Sequence, residues 1–218
     1  MNQSVPTFLR RYIYVLLGVL VLIIVHIGFA RTYIAPVLNG AFTGRKVLHL
    51  HGAIFMAWVI LSIVQPFLIQ RKLTQLHRRI GVYGAVLGGL VTLMGLYIGI
   101  SSAHANMARD GELVAKAFLL TPITDMILFS LFVFLAIQNV RNPESHKRYI
   151  VLATLSILPA ATGRIFPLLT WWTGNIVIDT ALSLLLMEFT LYIAIAYDIV
   201  VNKKIHPVYI WGGLLVLF

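Results

Sequence analysis

Histidine and carboxylate side chains inside long apolar runs are the residues of this chain best suited to chemistry. His26, His51, Asp125 and Glu188 each lie in such a run. An ionisable group in hydrocarbon costs free energy, so its presence there indicates a function. Imidazole and carboxylate ligands together suit zinc, iron or copper(II). The first hypothesis is a transition-metal site made by His26, His51 and Glu188, with hydrogen-bonded structural histidines as the alternative.

A second chemical signal is a short repeated motif in which a histidine precedes two basic residues. His77 opens the third apolar run in "LHRRIGV", and His146 opens the fifth in "SHKRYIV". Two imidazoles at matching depth on facing helices can ligate the iron of a b-type haem, and the basic neighbours can bind its propionates. The pattern therefore predicts His77 and His146 as candidate haem ligands. The alternative is that both motifs anchor helix ends at a positively charged surface.

Further polar residues predict a cavity that opens on the extracytoplasmic side. At about 1.5 Å per residue along a helix, His26, Asp125 and Glu188 lie at similar depth. On the second run, polar residues recur at helical spacing on one face from His51 to Gln65, which favours an interior position. The predicted polar cluster comprises Arg31, Trp58, Gln65, Asp125, Arg164 and Glu188.

Two charged residues have simpler structural interpretations. Arg164 is a candidate partner for Asp125 or Glu188 in a structural ion pair, because buried charges are paired. Asp198 lies near the end of an apolar run, and we expect its carboxylate to be solvated.

The composition requires a membrane. Of 218 residues, 60% are hydrophobic and only 11% are charged, which excludes a water-soluble globule. The formal net charge of +10 is typical of loops beside anionic lipid and does not indicate nucleic-acid binding. Because the chain has no cysteine, thiolate metal sites, disulfides and cysteine nucleophiles are excluded.

The apolar runs predict an all-α, polytopic helix bundle in a single domain over residues 1–218. Six runs are long enough to cross a bilayer, and a shorter seventh, after Pro207, reads as a last helix that is truncated at Phe218. Short loops on one side hold eleven of the 17 Lys and Arg residues, which predicts a cytoplasmic N-terminus in a bacterial inner membrane. The six full spans are predicted at 11–34, 46–70, 78–101, 116–140, 147–170 and 177–201.

The third run also carries small residues on one helical face. Small residues let a neighbouring backbone approach closely, because lipid supplies no hydrophobic drive between helices. We expect this helix to be central and its small face to pack. The face comprises Gly81, Gly84, Gly88, Thr92, Gly95 and Gly99.

Several segments resemble a group of uncharacterised bacterial multi-pass membrane proteins. They are "GFARTYI" (Gly28–Ile34), "LHLHGAIFMAWVILSIVQ" (Leu48–Gln65), "LHRRIGVYGAVLG" (Leu76–Gly88), "SHKRYIVLATLSILPAATGR" (Ser145–Arg164) and "HPVYIWGGLLVLF" (His206–Phe218). The resemblance implies the architecture, including a last helix that continues further, and brings no activity with it. The paired LHRR and HKR motifs are also similar to another family of predicted membrane proteins of unknown function.

More distantly, the histidine-bearing helices resemble the transmembrane b-type cytochromes. That family places histidines on four successive helices in two pairs of matching depth. Here the fourth run has Asp125 and no histidine, so the resemblance implies one inner pair, His77 and His146.

Three functions follow from these residues. The first is a metal or b-type haem centre with a redox role. The second is transport of a small solute or protons along Asp125, Glu188, His26 and Arg164. The third is a non-catalytic subunit or assembly partner in a membrane complex or homo-oligomer. Whether the chain is an enzyme stays open, and the lipid bilayer is the one partner that all three functions require.

Overall fold

The computed structural model describes residues 6–165 and 175–217, and every regular element in these ranges is helical. α1 (Thr7–Phe29) continues through a π-helical segment (Ala30–Ile34) into the short α2 (Ala35–Leu38). The later helices are α3 (Val47–Gln70), α4 (Thr74–Asp110), α5 (Glu112–Gln138), α6 (Pro143–Ser156), α7 (Pro159–Ile165), α8 (Ile176–Tyr197) and α9 (Pro207–Leu217). A second π-helical segment (Asp198–Asn202) ends α8.

Five helical stretches in the described ranges are long and apolar enough to cross a membrane. They are Thr7–Leu38, Val47–Gln70, Thr74–Met107, Glu112–Gln138 and Ala181–Asn202. In the part that the structure describes, the chain is therefore an all-helical membrane protein, as its composition predicts. These stretches match five of the six predicted spans, since each contains about 20 or more residues of mostly apolar sequence.

The remaining predicted span, over 147–170, is divided. α6 ends at Ser156 and α7 begins at Pro159. A proline has no backbone N–H to donate and disfavours helical geometry in the residue before it, so a helix that runs into Pro159 breaks there. Residues 166–170 of this prediction lie outside the described residues. Proline also starts α6 and α9, where the missing N–H has no helical partner to lose.

The helices pack mainly as sequential neighbours. α3 contacts α1 and α4, α5 contacts α4 and α6, and α7 lies between α1 and α8. α9 packs on α6. The core is formed where these helices meet, and its fully buried side chains include Phe129, Phe132, Leu152, Leu155 and Leu191.

The small face of α4 packs as predicted. A methyl group added at Gly84 would meet Leu61 of α3, and one added at Gly88 would meet Val133 of α5. Gly95 and Gly99 face α5 in the same way. Gly81, at the start of the face, has nothing within 4 Å. Close approach of α4 to both α3 and α5 therefore depends on the absence of side chains at four of these positions.

One end of the bundle carries Arg10 and Arg11 at the start of α1 and the loops that contain Arg71, Arg141 and Lys203, and we call it the basic end. There Tyr197 Oη donates to the backbone oxygen of Arg10 at 3.2 Å, which joins the end of α8 to the start of α1. Arg11 donates to the backbone oxygen of Gln70 at 3.0 Å, which joins α1 to the end of α3. These contacts place loops distant in sequence on the same side of the molecule.

Candidate functional site

His77 and His146 come together at the basic end. Their ring centroids lie 6.4 Å apart, and the ring planes are nearly perpendicular at 83°. His77 is in the first turn of α4 and His146 in the first turn of α6, so the repeated motif places both imidazoles at equivalent positions on two helices. The structure therefore brings together the two residues that the sequence predicts as a pair.

Each of these histidines is oriented by the end of the helix that precedes it. His77 Nδ1 lies 3.3 Å from the backbone oxygen of Gln65 on α3, and His146 Nδ1 lies 2.8 Å from that of Ala136 on α5. When Nδ1 carries the proton and donates it to a carbonyl, Nε2 is left as the free nitrogen of a neutral ring. Histidines that ligate metals are commonly held in this way.

Gln65 belongs to this end of the bundle and lies far along α3 from His51. With its amide nitrogen turned towards α4, the side chain donates to His77 Nδ1 at 2.5 Å and to the backbone oxygen of His77 at 3.2 Å. Its oxygen accepts from the backbone nitrogen of Gly81 at 3.2 Å. The prediction that the polar face of α3 points inward is therefore correct at Gln65. The prediction that Gln65 shares a cluster with the extracytoplasmic residues is wrong, because it contacts His77.

Basic residues around the pair differ in their availability. Arg78 and Arg79 are exposed on the bundle surface. Lys147 is bound to the Glu144 carboxylate at 2.7 Å and lies over the Tyr14 ring. The Arg148 guanidinium is bound to the carboxylates of Asp198 and Glu144. Of the neighbours predicted to bind propionates, only the two arginines of α4 are therefore free to do so.

The predicted metal ligands do not converge. His26 is exposed, and its Nδ1 bonds to the backbone oxygen of Leu22 on its own helix at 2.9 Å. The buried face of α1 includes Ile24 and Gly28, and His26 lies two residues, or about 200°, from each of them. Glu188 accepts a hydrogen bond from Tyr192 Oη at 2.9 Å, also within its own helix.

The third predicted ligand, His51, has a different neighbour. Its ring centroid lies 4.2 Å from that of Phe55. Its Nδ1 is buried and has no hydrogen-bond partner among the described residues. Within the ranges that the structure describes, no three His, Cys, Asp or Glu side chains are placed to hold a metal ion. The described residues thus give no support to the metal site of His26, His51 and Glu188.

The remaining members of the predicted polar cluster have separate surroundings. Arg31 is exposed. Trp58 is buried, donates to Thr154 Oγ1 at 3.2 Å and packs edge-on against Phe129. Trp58 therefore joins α3 to α6 within the core.

Arg164 and Asp125 are not partners. Arg164 donates to the backbone oxygen of Ala160 and lies over the Phe29 ring at 4.7 Å. In the described part of the chain, no ion pair joins Arg164 to Asp125 or Glu188, so the predicted neutralisation is absent. Asp125 is half-buried in α5 and makes no hydrogen bond or ion pair with any described residue.

A buried ion pair at the basic end was missed by the sequence reasoning. Arg148 of α6 is 1% exposed and Asp198 at the end of α8 is 0% exposed. The guanidinium donates to both carboxylate oxygens, from Nε at 2.9 Å and from Nη2 at 2.5 Å. It also donates to Glu144 through Nη1 at 2.7 Å. The expectation that Asp198 is solvated is therefore wrong, because its carboxylate faces α6 and not water.

The carboxylate of Asp198 has further partners. Asn202 Nδ2 donates to it at 2.9 Å, and the backbone N–H of His206 donates at 3.3 Å. Asp198 thus binds α6, its own π-helical segment and the residue that precedes α9. The sequence signal for this pair is an Arg and an Asp of opposite charge at the same predicted membrane depth.

Comparison of the chain with protein-family models, with curated proteins and with solved structures finds no match.

Proposed function

We propose that this chain is a redox protein of the bacterial inner membrane that holds a b-type haem between His77 and His146. The proposed topology has six full spans, a partial seventh and a cytoplasmic N-terminus. The basic end then lies at the cytoplasmic surface, in agreement with the excess of Lys and Arg in its loops. The observation that carries the proposal is the approach of the two imidazoles.

The spacing of the two rings would allow both imidazoles to hold one iron. Two metal–nitrogen bonds of about 2 Å each, with the distance from nitrogen to ring centre at each end, put the centroids roughly 6 Å apart. The observed separation is 6.4 Å. A proton on His146 Nδ1, donated to the carbonyl of Ala136, would leave Nε2 of that ring for the metal, and a proton on His77 Nδ1, donated to the backbone carbonyl of Gln65, would do the same for His77. These residues therefore fit the group.

The chain's own residues would hold and orient the cofactor. His77 and His146 would hold the iron, with the His146 ring oriented by the carbonyl of Ala136 and the His77 ring by Gln65. Arg78 and Arg79 are the free cations that would meet the propionates. When bound, a b-type haem supplies one-electron transfer at a potential set by its axial ligands and surroundings.

The absorption spectrum of protein purified after haem-replete expression tests the proposal. The wild-type chain should carry a Soret band that shifts on reduction with dithionite, at about one haem per chain. H77A and H146A should each lose most of the bound haem, because each removes an axial ligand. H49A and D125N should keep it, since neither residue lies at the pair. A wild-type protein without a Soret band would overturn the proposal.

A second candidate function is transport of protons or a small solute. It is favoured by Asp125, a half-buried carboxylate in a spanning helix with no partner among the described residues. Proton uptake into proteoliposomes would be expected from the wild type and lost in D125N. Equal proton leak through both proteins would remove this candidate.

A further inference from the structure

An open groove of about 450 Å³ lies at the basic end between α5, α6 and α9. One part of the groove wall is apolar and another part is polar. Phe132, Leu135 and Trp211 give it an apolar floor, whereas Asn142, Ser145 and His206 give it a polar mouth. Trp211 is 72% exposed, so the floor faces outward from the bundle.

The fold fixes the polar mouth through the buried ion pair. Asp198 accepts from the backbone of His206, and the same carboxylate is bound by Arg148. The loop between α8 and α9 is therefore tied to α6, the helix that supplies Ser145. Lys203 in this loop has a positive φ of 57°, which turns the chain back towards α9.

Charges near the mouth divide into neutralised and free groups. Arg148 is bound to Asp198, and Lys147 to Glu144, so these four charges cancel locally. Arg141 stands one residue before Asn142, and Lys203 and Lys204 stand just before His206. All three are exposed and form no ion pair with any described residue. Three exposed cations therefore stand, along the chain, beside the residues that line the polar mouth.

We propose that this groove binds an anionic phospholipid, with an acyl chain on the apolar floor and the phosphate at the rim of Arg141, Lys203 and Lys204. Basic pockets between helices at a membrane surface suit anionic headgroups. A free phosphate would gain nothing from the floor, and a neutral lipid would gain nothing from the net charge of the rim. The proposal does not depend on the function of the histidine pair.

Trp211 provides a direct readout of occupancy. Purified protein in a neutral detergent is titrated with brominated phosphatidylglycerol or brominated phosphatidylcholine, and the tryptophan emission is followed. Emission present in the wild type and absent in W211F reports the groove. Phosphatidylglycerol should quench this emission at a lower fraction of lipid than phosphatidylcholine. Soluble glycerol phosphate, added in excess, should not displace the bound phosphatidylglycerol.

Charge removal at the rim should abolish the preference. In K203Q/K204Q, the apparent affinity for phosphatidylglycerol should fall roughly tenfold to thirtyfold towards that for phosphatidylcholine. R71Q/K72Q is a matched control, because it removes two exposed cations from another loop of the basic end, including a second lysine at positive φ. Equal quenching by both lipids, or equal losses in the two double variants, would overturn the proposal.

Discussion

Arg148 and Asp198 show how much a single pair of residues can organise in this chain. They lie 50 positions apart, and their contact joins α6 to the end of α8. Their pairing was not predicted because the sequence gives the depth of a charged residue but not the rotation of its helix. The histidine pair was predictable, since a repeated motif places both residues at equivalent positions at the start of a helix.

Loss of one member of the buried pair should be strongly destabilising. R148M leaves the Asp198 carboxylate buried without its cation, so we expect the free energy of unfolding to fall by about 3–5 kcal/mol. R148M/D198N should lose less, because no uncompensated charge remains. K147M is the control, since its partner Glu144 is exposed and such surface pairs contribute about 1 kcal/mol or less. Unfolding by denaturant in detergent micelles measures all three, and equal stability of R148M and K147M would contradict the expectation.

His206 should make stability depend on pH. Partial burial, followed by the nearby Arg148, lowers the pKa of His206 below its ordinary value. Asp198 and Glu144 oppose this shift, and Lys147 adds to it. The neutral ring accepts a hydrogen bond from the backbone N–H of Val208 at 3.2 Å, in the first turn of α9.

The lowered pKa of His206 determines how stability changes with pH. Because the folded-state pKa is lowered, the stabilisation is present above the unfolded value of about 6.5 and is lost as the pH falls below it. H206N retains a side-chain acceptor that does not titrate. We expect the apparent Tm of the wild type to fall more steeply than that of H206N between about pH 7 and pH 5. Parallel curves would contradict a role for this histidine.

At the scale of elements, close crossings between helices depend on glycine. A methyl group at Gly28 of α1 would overlap the backbone of Ala161 in α7, which cannot move without shifting the helix. We expect G28A to lower the free energy of unfolding by about 1–3 kcal/mol, as overpacking does. G81A is the matched control, because nothing lies within 4 Å of its added methyl group. Similar losses in both variants would show that the crossing does not depend on Gly28.

The predicted elements agree with the structure where length and apolarity alone decide them. Five spans follow from runs of about 20 apolar residues, which have few alternatives in a bilayer. The division at Pro159 was not predicted, because proline is tolerated inside other helices of the chain at Pro66 and Pro122. Whether a proline breaks or only bends a helix depends on which neighbours satisfy the freed carbonyl.

At the scale of the whole molecule, the predicted extracytoplasmic cavity and the basic end differ in whether their residues bond across helices. His26 and Glu188 form hydrogen bonds within their own helices, so the residues of the predicted cavity do not form a network. Residues of the basic end bond across helices, as in the approach of His77 to His146 and the pairing of Arg148 with Asp198. Depth and charge could be predicted from the sequence, whereas contact also required the helix rotations. The function is therefore proposed at the basic end.

Low-temperature electron paramagnetic resonance of the oxidised, haem-replete protein tests the central claim most directly, because the spin state reports the axial ligands of the iron. Ligation by both His77 and His146 predicts a low-spin ferric signal in the wild type, with loss of that signal in H77A and in H146A. A high-spin signal in the wild type, or a low-spin signal that persists unchanged in either variant, would contradict the account.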